Sequence, residues 1–102
     1  MGNIMTNPED DVFEKIILEQ EHKEIQWRLV VSRFREIEYL HLRKYYLDFE
    51  GEYQPTKEGA CIPFEINSLS NLFEALIQLL SKAESKDAIK THFNELLENL
   101  YD

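Results

Sequence analysis

Aromatic and basic side chains are interleaved along the middle of the chain, in a pattern that suits the binding of an unpaired nucleic-acid strand. Aromatic rings stack on exposed bases, at about 1–3 kcal/mol per base, and Lys and Arg side chains neutralise phosphates without reading the sequence. A duplex hides the faces of its bases, so the rings favour a single strand. Rings that only pack on a sheet, beside solvated cations, are the alternative. The residues concerned are Arg33, Phe34, Arg35, Tyr39, His41, Arg43, Tyr45 or Tyr46, and Lys57.

The formal charge of the 102-residue chain is −9, and a net charge of this sign disfavours binding to a polyanion. The charge is unevenly distributed, however. Residues 1–27 carry seven acidic and two basic residues, residues 58–102 carry eight and three, and residues 28–57 carry five and six. The aromatic and basic pattern therefore lies in the locally basic middle of an acidic chain.

Patterns for catalysis, metal binding and membrane insertion are missing from the sequence. No serine belongs to a motif with a histidine and an acid, and the three glycines are not spaced as a phosphate-binding loop. The single cysteine, Cys61, excludes a disulfide within the chain and indicates a reducing, intracellular setting. We therefore expect no enzyme, no metal or cofactor, and, since no apolar run approaches about 18 residues, no membrane span.

Two segments alternate between apolar and polar residues with the period of two that marks a β-strand. In residues 25–32 the apolar side chains occupy the odd-numbered positions, and in residues 39–46 they occupy the even-numbered Leu40 and Leu42. We expect the apolar sides to face a core and the opposite side, with its arginines, to be exposed. A clear turn at 48–51, a short strand at 52–54, a second turn at 57–59 and a strand at 60–64 complete a predicted antiparallel meander of four strands.

Both ends of the chain show helical spacing. Asn7 and Pro8 suit a first helical turn, and the apolar residues that follow favour a helix over residues 8–20, with a short strand at 15–19 as the alternative. From Asn67, which is a candidate cap together with Ser68, apolar residues recur every 3.6 positions up to Ala83. A break at 85–87 precedes a second amphipathic run. Strands followed by helices predict an α+β domain.

The segment RKYYLDFEGEYQPTKEG, residues 43–59, together with the alternating strand before it, carries a recognisable motif. An arginine is followed by a tyrosine, an aromatic residue, an aspartate, Glu-Gly-Glu, a proline and a basic corner that ends in glycine. This stretch resembles the positive cofactor four family, small transcriptional coactivators and related bacterial and phage proteins that bind single-stranded DNA. The serine- and lysine-rich tail of many eukaryotic members is absent, which favours a bacterial or phage member.

The resemblance implies a curved, four-stranded antiparallel sheet followed by a C-terminal helix, in a homodimer formed through that helix and the sheet edges. The paired sheets would form a groove for single-stranded DNA or melted duplex. On this basis, residues 1–24 form an N-terminal segment that is partly helical or extended. Residues 25–83 form the single-strand-binding domain, and residues 84–102 form a helical extension that widens the dimer interface or docks a partner.

Site residues follow from the resemblance position by position. Phe34 matches a stacking phenylalanine, Arg43 matches an arginine that meets phosphate, and Tyr46 stands where the family often has tryptophan. Arg35 and Lys57 match basic positions. Arg28, Arg33 and His41 complete the predicted nucleic-acid interface, whereas Trp27 is assigned to the core.

Several positions depart from the family pattern. Ser32, Ile37, Gln54 and Glu58 stand where basic residues are usual, so several phosphate contacts are missing. We therefore expect weaker binding with a shallower salt dependence than in a more basic relative.

The leading hypothesis is a homodimeric, sequence-nonspecific single-stranded-DNA-binding protein that acts in transcription, replication or recombination, alongside proteins of those processes. It would work in the cytoplasm of a bacterial host, or in the nucleus if the source is eukaryotic. The first alternative is an acidic protein-interaction module that has kept the fold and lost DNA binding, which buried rings at Phe34 and Tyr46 would favour. The second is a small metal-dependent nuclease.

Overall fold

The structure, a computed structural model, describes residues 10–101, and the chain divides after Glu65 into two compact units. The first unit is a four-stranded antiparallel sheet whose strands follow one another in chain order. The second unit consists of two helices. The strands are β1 (Asp11–Gln20), β2 (Ile25–Phe34), β3 (Ile37–Leu47) and β4 (Tyr53–Pro63), and the helices are α1 (Ile66–Leu80) and α2 (Lys86–Tyr101).

The first strand replaces the helix expected over residues 8–20, so that expectation is wrong. β1 pairs antiparallel with β2, and its register shifts twice, between Asp11 and Phe13 and between Ile16 and Leu18. Each shift adds one residue, Val12 or Ile17, to the strand. These insertions break the period of two and place apolar residues at intervals that imitate a helix. The proposed capping residues 7 and 8 lie outside the described residues.

The two short strands expected at 52–54 and 60–64 are one strand, β4, with an irregularity in the middle. The register with β3 shifts between Arg43 and Tyr45. The Thr56 hydroxyl donates to the carbonyl oxygen of Lys44 at 2.8 Å and accepts the N–H of Glu58 at 3.1 Å. Gly59 follows with φ +144°, and a Cβ at this position would lie 2.1 Å from the carbonyl oxygen of Leu42. The glycine in the motif therefore permits the close approach of β4 to β3.

The two later hairpin connections are built by different means. At the β2–β3 turn, Arg35 and Glu36 both have positive φ, +52° and +68°, as a two-residue hairpin turn of the mirror-image type requires. At the β3–β4 turn, the Asp48 carboxylate accepts the backbone N–H groups of Glu52 and Glu50, both at 2.9 Å. These hydrogen bonds hold the pKa of Asp48 below its ordinary value.

Strand pairing assigns the side chains of the sheet to two faces, because directly paired residues lie on the same side. We call one the polar face and the other the apolar face. The polar face carries Gln26, Arg28, Val30, Ser32 and Phe34 of β2, and Ile37, Tyr39, His41, Arg43 and Tyr45 of β3. The apolar face carries Ile25, Trp27, Leu29, Val31 and Arg33 of β2, and Glu38, Leu40, Leu42, Lys44 and Tyr46 of β3.

The polar face is the more buried of the two, contrary to the expectation that it would be exposed. Gln26, Ser32 and His41 are 4%, 1% and 1% exposed, whereas Leu42 on the apolar face is 42% exposed. The reason is the curvature of the sheet. Residues of both edge strands, β1 and β4, line one groove on the polar face, so this face is concave and its side chains cover one another.

The helical unit is a pair of amphipathic helices. Phe73 of α1 and Phe93 of α2 meet edge to face, with ring centroids 5.6 Å apart. An interruption between the two helical runs is present, but it lies at residues 81–85 and not at 85–87. α2 begins at Lys86, where the Ser85 hydroxyl accepts the N–H of Ala88 at 3.1 Å. α1 begins at Ile66, so the two candidate caps lie inside the helix. Within residues 10–101, neither helix is long and apolar enough to cross a membrane.

Candidate nucleic-acid interface

The eight predicted interface residues do not lie on one surface of the chain. Four of them lie on the polar face: Arg28, Phe34, His41 and Arg43. Arg33 and Tyr46 lie on the apolar face, Arg35 is in the β2–β3 turn, and Lys57 is in the irregular part of β4.

Arg28 is held within the polar face by three kinds of contact. Its Nη1 donates to Glu14 Oε1 at 2.8 Å, and its Nε and Nη2 donate to Gln26 Oε1 at 2.9 and 2.7 Å. Its guanidinium carbon lies 4.2 Å from the centroid of the Tyr45 ring, a cation–π contact. With its side chain 17% exposed, this cation is neutralised by the protein itself.

His41 and Arg43 form a buried pair beside it. Arg43 Nη2 lies 2.8 Å from His41 Nδ1, and Arg43 Nη1 donates to the carbonyl oxygen of Thr56 at 3.4 Å. Burial, together with the positive charge of Arg43, lowers the pKa of His41 to about 4. The ring is therefore neutral at pH 7, and its Nε2 is buried with no hydrogen-bond partner among the described residues.

Of the other predicted residues, Arg33, Arg35, Tyr46 and Lys57 are exposed and Phe34 is half-buried. The Tyr46 ring is 48% exposed, and the side chain of Arg33 is 61% exposed, with a loose ion pair to Glu38 at 3.9 Å. Phe34 is half-buried, and the guanidinium carbon of Arg35 lies 5.1 Å from its ring centroid. The turn that follows Phe34 thus presents an arginine stacked on an aromatic ring, which is an arrangement that stacks on bases.

Two residues that sequence reasoning left out lie beside Tyr46 on the apolar face. Trp27 of β2 pairs with Lys44 of β3, and Tyr46 lies two residues after Lys44 on β3. Trp27 is half-buried rather than part of the core, and Lys44 Nζ lies 3.0 Å from Glu58 Oε2. The period of two predicted the shared face, but only the strand register shows that Trp27, Lys44 and Tyr46 are neighbours.

The two candidate stacking rings are far apart. Tyr46 pairs with Ile25 at one end of β2, and Phe34 is at the other end, nine residues away. At a rise of about 3.3 Å per residue the separation is about 30 Å. The two rings also lie on opposite faces of the sheet, so a nucleic-acid strand that lies flat on one face of the sheet does not contact both rings.

A search for metal sites in residues 10–101 finds no group of three or more His, Cys, Asp or Glu side chains placed to hold an ion. Cys61 is half-buried and pairs with His41 in the strand register.

This chain is similar to a known protein family and to a solved structure. Residues 23–69, from the end of the β1–β2 connection into α1, match the family Transcriptional Coactivator p15 (PC4). A solved structure, a bacteriophage T5 homolog of the eukaryotic transcription coactivator PC4 implicated in recombination-dependent DNA replication, matches with 37% identity and a TM-score of 0.68. The match covers 85% of this chain and 96% of that chain. The chain belongs to the PC4 family. Among the curated proteins, no match was found.

Membership of the PC4 family confirms the resemblance read from residues 43–59 and the α+β fold that it implied. The family match covers residues 23–69, so β1 and most of the helical unit lie outside it, whereas the structural match covers 85% of the chain. PC4 proteins are described as transcriptional coactivators rather than as enzymes.

Proposed function

We propose that this PC4-family chain is a homodimeric, sequence-nonspecific single-stranded-DNA-binding protein that acts, without catalysis, in transcription or in DNA replication and recombination inside the cell. The observation that carries the proposal is the position of Tyr46. It lies within the family motif, on a strand of the sheet, with its ring about half exposed beside Trp27 and Lys44. An exposed ring next to a cation is the arrangement that single-strand binding needs.

The exposed residues would make the contacts, and the buried ones would hold the sheet. Tyr46 and Phe34 stack on bases, while Arg33, Arg35 and Lys57 meet phosphates. Arg28, His41 and Arg43 are turned into the concave polar face and engaged there, so we assign them the role of supporting the sheet. This division revises the sequence-based hypothesis, which gave all eight residues direct contact.

A second copy of the chain would explain how separated rings serve one ligand. One chain presents its two candidate rings about 30 Å apart on opposite faces. The apolar face also leaves Leu18, Leu42 and Ile62 substantially exposed, and exposed apolar side chains that share one face indicate an interaction surface. Two copies that cover these three side chains and leave Tyr46 exposed would supply a continuous surface for DNA.

The test is fluorescence anisotropy of a labelled 20-nucleotide single strand and of the matching duplex, each at two salt concentrations. We expect single-strand binding that weakens with salt and much poorer duplex binding. Tyr46→Ala should weaken single-strand binding by about 1–3 kcal/mol, or about 5-fold to 150-fold. Light scattering on the same samples should give the mass of a dimer.

Tyr101→Ala is the matched control, because it removes an exposed tyrosine ring from α2 rather than from the sheet. Equal losses in the two variants would contradict a stacking role for Tyr46. No binding of the native chain at low salt would contradict the proposal as a whole. That result would favour an acidic interaction module on the same fold, which the net charge and the internally neutralised Arg28 also favour.

A further inference from the structure

The polar face contains a groove of about 500 Å³ that the proposed DNA interface does not use. Residues 11–14 of β1 form one wall and residues 53–55 of β4 form the other, with Arg28 and Tyr45 between them. The groove therefore spans the full width of the curved sheet. Its lining combines two carboxylates, Asp11 and Glu14, with the rings of Tyr45 and Tyr53.

The charge in this groove is negative even though a cation lies within it. Asp11 and Glu14 face a single Arg28 across the groove. Burial raises the pKa of Asp11, the hydrogen bond from the Ser32 hydroxyl lowers it, and the charge of Glu14 raises it while that of Arg43 lowers it. The pKa of Tyr45 is raised by burial and then by Glu14 and Asp11, and that of Tyr53 is raised by burial and then by Glu19, Glu21 and Glu24. The lining itself contains two carboxylates and one guanidinium group, so its formal charge is −1 when both carboxylates are ionised.

The chain itself shows how the groove holds a guanidinium group. Arg28 stacks on Tyr45 at 4.2 Å, lies 5.8 Å from the Tyr53 centroid and pairs with one oxygen of Glu14. The Glu14 side chain is 43% exposed, so its carboxylate is also accessible from outside. An ionised carboxylate has about four acceptor positions, which leaves room for a second cationic donor. Tyr53, on the opposite wall, supplies a ring for that donor to lie against.

We propose that this groove is a docking site for an arginine-bearing basic segment of a partner protein. An arginine side chain from the partner would lie against Tyr53 and donate to Glu14 and Asp11. Guanidinium suits the site better than an ammonium group, because its flat face stacks on the ring while its edge donates to a carboxylate. Phosphates are excluded by the same carboxylates, so the groove and the DNA interface serve different ligands. The inference does not depend on DNA binding.

The experiment is a ¹H–¹⁵N NMR titration of the 102-residue chain with a peptide of four Gly-Arg repeats. We expect shifts concentrated at residues 11–14, 28 and 53–55, with saturation. Glu14→Gln should weaken binding about tenfold, the loss expected for one hydrogen bond between charged groups. Glu95→Gln on α2 removes the same charge outside the groove lining and should change the affinity by less than about twofold.

Further variants and ligands separate this site from general attraction to an acidic protein. Tyr53→Leu keeps both carboxylates and should weaken the Gly-Arg peptide more than a Gly-Lys peptide of equal length. Equal losses in Glu14→Gln and Glu95→Gln, or shifts spread over the helices, would overturn the proposal. Spermidine binding to the same residues as tightly as the peptide would also overturn it, in favour of a small polyamine ligand. A folded spectrum of each variant, recorded first, keeps unfolding from being mistaken for lost binding.

Discussion

The two faces of the sheet use similar residue types for different purposes. On the polar face, Arg28 and Tyr45 stack on each other and are largely shielded from solvent. On the apolar face, Tyr46 directly follows Tyr45 in the sequence and Arg33 lies on the same strand as Arg28, yet Arg33 and Tyr46 are both open to solvent. The concave side of a curved sheet brings its side chains together, whereas the convex side spreads them apart. Curvature, and not residue type, therefore separates the residues that build the sheet from those available to a ligand.

The largest contrast between the faces is expected for the adjacent tyrosines. Tyr45→Ala removes a ring that is 6% exposed and leaves Arg28 without its stacking partner, so the free energy of unfolding should fall by about 3–4 kcal/mol. Tyr46→Ala should cost less than about 1 kcal/mol, because its ring is half exposed. Urea unfolding of both variants measures the difference. Equal losses would mean that the apolar face is covered as fully as the polar one.

The bend between β3 and β4 is expected to depend on one glycine. Gly59→Ala places a Cβ 2.1 Å from a backbone oxygen at a positive φ and should cost about 3 kcal/mol or more. Gly51→Ala is the matched control. Its φ is +83°, but nothing lies within 4 Å of the added atom, so only about 1 kcal/mol of backbone strain is expected. Thermal or urea unfolding measures the loss of stability in each variant. A larger loss in Gly51→Ala than in Gly59→Ala would contradict the close approach of β4 to Leu42.

Burial of the polar face should also make stability depend on pH through His41. Its pKa is lowered to about 4 in the folded chain by burial and by Arg43, against 6.5 when unfolded. The unfolded chain therefore binds the proton first as pH falls, and stability that is complete above pH 6.5 is lost towards pH 4. The expected loss between pH 7 and pH 5 is about 2 kcal/mol. Urea unfolding at both pH values, with His41→Gln as the non-titrating variant, measures it.

An NMR titration of the His41 ring provides an independent check of that prediction. A ring pKa near 6.5 in the folded protein would show that the concave face admits water. In that case, the pH dependence of stability should be the same in the native chain and in the His41→Gln variant.

The smallest contrast is between arginines of the two faces. Arg28→Ala leaves Glu14 and Gln26 without their donor and should cost about 1–2 kcal/mol. Arg33→Ala breaks only an exposed ion pair at 3.9 Å and should change stability by less than about 0.5 kcal/mol. The order should reverse for single-stranded DNA, with Arg33→Ala lowering the salt dependence of binding and Arg28→Ala affecting affinity less. Binding of single-stranded DNA to both variants should be measured at several salt concentrations. If the slope of log affinity against log salt concentration is unchanged in Arg33→Ala, Arg33 does not contact a phosphate.

The sequence determined the elements that depend on local chemistry. The period of two in residues 25–32 and 39–46 predicted β2 and β3. Asp48 and Gly51 predicted the turn between β3 and β4, and the motif in residues 43–59 predicted the family and its sheet. The turn at Arg35 and Glu36 was only weakly signalled, because neither residue has the intrinsic preference for positive φ that glycine has. β1 was misread because its two inserted residues disguised a strand as a helix.

Only the tertiary structure decided which face of the sheet would be buried and which residues would meet. Alternation divides side chains between two faces, but it does not say which way the sheet bends. Inserted residues bend a strand, and β1 has two of them, while Gly59 lets β4 approach β3 closely. The same bend turned Arg28, His41 and Arg43 inward, left Tyr46 and Arg33 outside, and brought β1 and β4 together around one groove. Residue types therefore suggested the chemistry of the chain, and curvature assigned that chemistry to separate surfaces.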